Sequence, residues 1–287
     1  MAGGFPSPAA AAGRSEPPRE GLAMARAAWL AAVLAAVALA PVAARAQAPQ
    51  DANGRAAVTG GDPVTILLEM ERTYAGCKSY RDTGRVTSLI LTDGGRAGGE
   101  KPFATAFVRP GRFRFQFTDT GLGGDTAKYI VWSDGNEVLS WWDRQPGVRH
   151  PGSLEDALAP AAETSGGVSV RVPALLLPQS LGHGPLLVAP QRLEDEADRG
   201  VTCVRIEGKG RETPYSLPSG PNRSVQVLDE TVTLWIDKAT HLLRKVEQHR
   251  TMETYRSEST TTYTPEINVE VPAADLAFGA PAEQPAK

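Results

Sequence analysis

The chain has 287 residues, 30 basic and 33 acidic groups and a formal net charge of −3. That balance carries no basic footprint, so no nucleic-acid partner is expected. Its two cysteines and four scattered histidines lack paired metal-ligand spacing, and neither a metal nor a cofactor is expected.

Met24-Ala25-Arg26 opens the apolar run Ala27–Val42, which is followed by the small-x-small sites Ala44-Arg45-Ala46 and Ala46-Gln47-Ala48. This predicts a secretory signal peptide over 24–46 and a periplasmic mature protein. The other reading is an N-terminal anchor. The run is short for a span of about 20 apolar residues, and Pro41 interrupts it. No cysteine follows the cleavage sites, so no lipid attachment is expected. Residues 1–23 are rich in Ala, Gly and Pro and read as a gene-model extension upstream of a true start at Met24. Residues 47–61 read as a disordered polar linker.

Asp62-Pro63 predicts a helix start, because Asp caps well and Pro suits the first helical position. Val64, Leu67, Leu68 and Tyr74 are expected on its buried face, and Gly76 ends it. Strands follow over Arg85–Thr92, Phe103–Arg109, Arg112–Thr118, Tyr129–Ser133 and Glu137–Trp142. Phe113, Phe115 and Phe117 alternate with Arg112, Arg114 and Gln116, which makes one sheet face aromatic and the other polar. Asp93-Gly94-Gly95, Pro110-Gly111 and Asp134-Gly135 are turns, so these strands form an antiparallel meander.

The meander stops at Ser153, which caps the short helix SLEDALAPAAE. The apolar stretch Val172–Leu181, between Pro173 and Pro178, is too short to cross a membrane and must be covered. It reads as a helical lid over the sheet. Strands resume at Pro190–Glu196, Val201–Gly208, Ser224–Asp237 and Leu242–Thr251, with Lys209–Ser224 an irregular loop. The Thr-rich strand Tyr255–Pro265 suits a solvated face or a sheet edge. ADLAF near residue 275 closes the fold, and 280–287 read as a disordered tail.

The result is a mainly β, α+β domain over 62–279: a half-open antiparallel barrel of about ten strands with an N-terminal helix and a helical lid. Cys77 and Cys203 are an even count in an exported chain, which invites a disulfide; two free buried thiols are the other reading. The candidate ligand-binding residues are Phe113, Phe115, Phe117, Trp132, Leu139 and Trp141 from the sheet and Leu175, Leu176 and Leu177 from the lid. They read either as the wall of a cavity or as ordinary core.

The two Asp-Thr-Gly triplets, Asp82-Thr83-Gly84 and Asp119-Thr120-Gly121, lie too close in sequence to serve two protease lobes and read as turns. Gly121-Leu122-Gly123-Gly124 opens no helix and reads as a loop. No Gly-x-Ser-x-Gly elbow, His-Glu-x-x-His or Walker loop is present, and no catalysis is expected.

Several motifs in this order resemble the LolA/LolB-like superfamily of periplasmic lipoprotein carriers. They are Arg109-Pro110-Gly111-Arg112-Phe113, Ser133-Asp134-Gly135 with Trp141, Leu234-Trp235-Ile236-Asp237-Lys238 to Leu243-Arg244-Lys245, and Tyr263-Thr264-Pro265-Glu266-Ile267-Asn268 with Phe278. The resemblance implies a half-open barrel whose helical lid covers an apolar cavity. It also implies acyl chains of a lipoprotein or another envelope lipid as ligand, with an envelope membrane protein as donor or acceptor. The protein is expected to be a monomer. The cysteine pair, the Lys209–Ser224 loop and the polar Tyr255–Pro265 strand depart from that pattern. An envelope regulator using the same barrel, or a strand-pairing protein using Tyr255–Pro265, are the other function classes.

Overall fold

The computed structural model describes residues 61–120, 126–182, 185–220 and 223–279. The stretches read above as a signal peptide, terminal extensions, most of a linker and the Gly121–Gly124 loop lie outside them, as does His183.

Helix α1 (Pro63–Gly76) starts as its first residues dictate. Asp62 Oδ2 accepts from the Thr65 backbone N–H at 2.9 Å and from Thr65 Oγ1 at 2.8 Å. Its buried stripe is Leu67, Met70 and Tyr74. Val64 and Leu68, expected on that stripe, are exposed, because the sheet meets the helix along the i, i+3, i+7 line.

The chain then runs through β1 (Ser79–Thr92), β2 (Gly95–Val108), β3 (Arg112–Thr120), β4 (Thr126–Asp134), β5 (Val138–Trp142) and β6 (Gln145–Arg149). A helical segment follows: α2 (Leu154–Leu158), a 3-10 turn (Ala159–Ala161), α3 (Val168–Leu176) and α4 (Pro178–Leu181). The second half is β7 (Val188–Asp198), β8 (Val201–Lys209), β9 (Tyr215–Gly220), β10 (Arg223–Asp237), β11 (Leu243–Met252), β12 (Arg256–Tyr263), β13 (Glu266–Ile267) and a closing 3-10 turn (Ala273–Leu276).

All thirteen strands join one antiparallel sheet in the order β6-β5-β4-β3-β2-β1-β12-β11-β10-β8-β7, with β13 on β1 and β9 on β10. The sheet is not closed, so the half-open architecture expected from the sequence is present. Its two edges are β6 and β7, which are also the strands that flank the helical segment. That segment therefore has to cross the sheet to connect them, and it does so over the concave face.

Three features differ from the sequence reading. The turn is at Asp93-Gly94, but β2 begins at Gly95 and not at Phe103, because it pairs with β1 along its whole length, down to Thr92 opposite Gly95. A Cβ on Gly98 would lie 2.4 Å from the Ser88 carbonyl oxygen, so the close approach needs glycine there. The Lys209–Ser224 loop contains β9, which folds back on β10 and builds a small second core of Leu217, Val227 and Met252. Finally, β12 is a central strand, between β1 and β11. Thr260 and Thr262 are half-buried on one face and Thr261 is buried on the other, and pairing on both sides removes β12 as a strand-addition site.

Candidate functional site

The three phenylalanines of β3 point into the concave face. Phe113, Phe115 and Phe117 are fully buried and stand opposite Phe107, Thr105 and Phe103 on β2, and opposite Ser133, Val131 and Tyr129 on β4. An aromatic ladder continues outward, with ring centroids 6.1 Å apart for Phe115–Phe117, 5.7 Å for Phe117–Tyr129 and 5.5 Å for Tyr129–Trp142. Leu175, Leu176 and Leu177 of the lid are buried in the same cluster, with Val168, Val172 and Leu158. Six of the nine expected residues are thus brought together.

Trp132, Leu139 and Trp141 are not. Trp132 pairs with Arg114 and Leu139, and Trp141 pairs with Ile130, so they occupy the convex face. The Trp132 indole donates to the Leu276 carbonyl at 2.7 Å and its ring packs on Phe278, so the closing segment covers it. The four-residue turn Asp134–Glu137 sets this register by pairing Ser133 with Val138. Trp142, two residues beyond Ser140, is therefore the inward tryptophan. Tyr129 and Trp142 are wall residues that the sequence reading missed: Tyr129 stands opposite Phe117, and Trp142 turns inward because the turn that pairs Ser133 with Val138 shifts the alternation by one.

Polar groups clip the lid to the sheet around this apolar contact. Arg109, just before β3, donates to the Cys77 carbonyl at 2.7 Å, to Tyr74 and Ala75 of α1, and to Leu176 of α3 at 3.0 Å. One guanidinium thus ties the ends of both helices. The Tyr129 hydroxyl donates to the Ala157 carbonyl, Lys101 Nζ donates to the Thr164 carbonyl at 2.6 Å, and Arg250 Nη1 meets Glu163 Oε2 at 3.0 Å. Gly166 and Gly167 turn the lid with φ of 63° and 83°. A Cβ on Gly166 would lie 2.9 Å from Val86 Cγ1, so the turn sits tightly on β1.

Under α1 and α3 the concave face holds a buried polar cluster. The Tyr80 hydroxyl donates to Asp82 Oδ2 at 2.8 Å, and the Thr105 backbone N–H donates to Asp82 Oδ1 at 3.0 Å. Burial pushes the Asp82 carboxyl up to about 6 against these bonds. Burial also raises the Tyr74, Tyr80 and Tyr263 hydroxyls. The triplet Asp82-Thr83-Gly84 is therefore mid-strand, not a turn, and Asp119-Thr120 ends β3. Near the far end of β10, Glu230 is buried and accepts from Tyr215, Gln248, Arg250 and the Gly210 backbone N–H. Burial pushes its carboxyl up, but those partners together hold it below the usual range.

The cysteines are not bonded. Cys77 and Cys203 are free buried thiols, and burial raises both. Cys77 belongs to the core beneath α1, whereas Cys203 pairs with Asp237 and alternates with the core residues Val204 and Ile206. It therefore sits on the convex side, with the sheet between the two sulfurs. Among the described residues no cluster of three or more His, Cys, Asp or Glu is placed to hold a metal, and no helix is long and apolar enough to cross a membrane.

No family model matches the chain, and no curated protein matches it. Similar solved structures exist. A LolA superfamily protein from Nitrosomonas europaea is 12% identical with a TM-score of 0.32, covering 76% of this chain and 98% of that one. LprF from Mycobacterium bovis is 12% identical with a TM-score of 0.40, covering 77% and 100%. A DUF1329 family protein from Desulfovibrio piger is 14% identical with a TM-score of 0.34, covering 76% and 98%.

Proposed function

We propose that the protein is a non-catalytic periplasmic carrier that takes acyl chains of a lipoprotein or another envelope lipid between its aromatic wall and its lid. One observation carries this reading. An apolar lid, turned at Gly166-Gly167 and with Pro173 inside α3, is seated on the wall of Phe113, Phe115 and Phe117 by clips that mostly reach its main-chain carbonyls. Such clips do not depend on the lid's side chains and can be released one by one. An acyl chain replacing Leu175, Leu176 and Leu177 on the phenylalanines would gain about 25 cal/mol for each Å2 of apolar surface removed from water. The lid leucines lose a similar contact, so uptake and release stay near balance, which is what a carrier needs. An envelope membrane protein would serve as donor or acceptor.

Native mass spectrometry of protein purified from the periplasm tests this. The expected result is a co-purified lipid or acylated peptide. A clean apo mass, with no uptake of added fatty acid or lipopeptide, would exclude the carrier.

A further inference from the structure

In the lid turn before α3, Glu163 and Thr164 are held by charged groups, beside the close approach of Gly166 to Val86. Two cations rise from opposite sides of the concave face and meet consecutive lid residues. Lys101 on β2 donates to the Thr164 carbonyl at 2.6 Å, and Arg250 on β11 pairs with the Glu163 carboxylate at 3.0 Å. Both cations are sheltered, with side chains 18% and 17% exposed. Each also has a fixed partner on the sheet: Asp119 lies 3.4 Å from Lys101, and the buried Glu230 lies 2.8 Å from Arg250. Arg144 completes this rim on Asp119 at 2.7 Å. The sheet side thus sets Lys101, Arg144 and Arg250 against Asp119 and Glu230. The lid's Glu163 supplies the third carboxylate.

When the lid lifts, Thr164 and Glu163 leave together. Arg250 Nη1 and Lys101 Nζ each lose an acceptor, and the sheet side keeps one uncompensated positive charge at the end of the apolar wall. Sheltered cations of this kind bind anions more strongly than exposed ones, because water competes less. We propose that Lys101 and Arg250 form an anion site for the headgroup of the carried lipid, a phosphate or carboxylate, and that Glu163 occupies the Arg250 half of that site while the lid is closed. The proposal rests on the carrier reading above. It adds that the lid carries its own stand-in for the ligand's anion, so the chemistry that closes the empty protein also selects what opens it.

The test is calorimetric titration of the full chain, at low salt, with single-chain amphiphiles below their micelle concentrations: dodecyl phosphate, dodecanoate and dodecyl maltoside. Dodecyl phosphate is expected to bind about tenfold more tightly than the maltoside, a difference of about 1.4 kcal/mol, and the margin should shrink as salt is raised. Dodecanoate shows whether a carboxylate serves as well as a phosphate. Arg250 also supports buried Glu230, so its replacement risks the fold; Lys101→Gln and Glu163→Gln are the informative variants. Lys101→Gln removes a lid clip as well as a cation, so the maltoside serves as the reference: dodecyl phosphate should weaken about threefold to tenfold relative to it. Glu163→Gln should strengthen the phosphate more than the maltoside. Uptake of all three with equal affinity, in every variant, overturns the anion site and leaves the carrier standing. Uptake of none overturns both.

Discussion

The two faces of β3–β5 are built from the same kinds of residue and have opposite fates. On the concave side Phe113, Phe115, Phe117, Tyr129 and Trp142 form one wall against the lid. On the convex side Trp132, Leu139 and Trp141 share their face with Arg112, Arg114 and Gln116, and the closing segment covers part of it. Aromatic content alone therefore does not mark the site. What marks it is which face the β6-to-β7 crossing must traverse, and that is a property of strand order.

The sharpest way to break this comparison is to truncate one residue on each face. Phe115→Ala should cost about 3–5 kcal/mol of unfolding free energy, since it empties a fully buried ring position beneath the lid. Trp141→Ala, on a half-buried convex position, should cost less than half as much. Urea unfolding of both variants checks it; equal losses would mean that the two faces are not different in kind.

The concave face also holds a carboxyl with a consequence for stability in the acid range. Asp82 has an ordinary carboxyl value of 3.8 and a folded value of about 6. A raised folded value means that the folded state holds the proton more tightly. Its contribution is therefore fully present below about pH 4 and is lost as pH rises through 6. The difference amounts to roughly 3 kcal/mol. Stability measured from pH 4 to 7 should fall in the wild type relative to Asp82→Asn, in which the position cannot titrate. Parallel pH profiles for the two proteins would show that the buried carboxyl is not charged against its surroundings.

A smaller effect is expected at Gly84, opposite Phe103 and Tyr263 on the same face. A Cβ there would lie 2.2 Å from Phe103 Cζ and 2.3 Å from the Thr262 carbonyl oxygen. Gly84→Ala must displace the Phe103 ring or part β1 from β12, at about 1–3 kcal/mol. Thermal unfolding reads the loss. A neutral result would place the Phe103 ring elsewhere.

Much of this was readable from local chemistry. The Asp62-Pro63 cap, the alternation over 112–117, the lid prolines and the Ser153 cap each act within a few residues, and each appears as expected. What was not readable depends on pairing at a distance. Gly95–Gly99 is strand only because β1 lies beside it, and β9 exists only because β10 extends past β8. The Thr-rich strand looked like an edge because its solvent face is polar, but its position follows from β1, which lies more than 150 residues away in sequence. Cys77 and Cys203 form a plausible pair by count, and the sheet separates them. Of the candidate site, the phenylalanines and leucines followed from periodicity. The tryptophans did not, because one turn length decides their face.

Trp132 supplies the finest test of that last point. Its indole N–H donates to Leu276 and its ring meets Phe278, so its role is to hold the closing segment on the convex face. Trp132→Phe keeps an aromatic ring and removes one hydrogen bond, a loss of about 1 kcal/mol. Hydrogen exchange should rise in the segment around Ala273–Leu276 and not in α3. Amphiphile uptake should stay at the wild-type level, because no part of the wall is touched. A drop in uptake without a change in exchange at Ala273–Leu276 would return Trp132 to the ligand site, and with it the idea that the convex face takes part in binding.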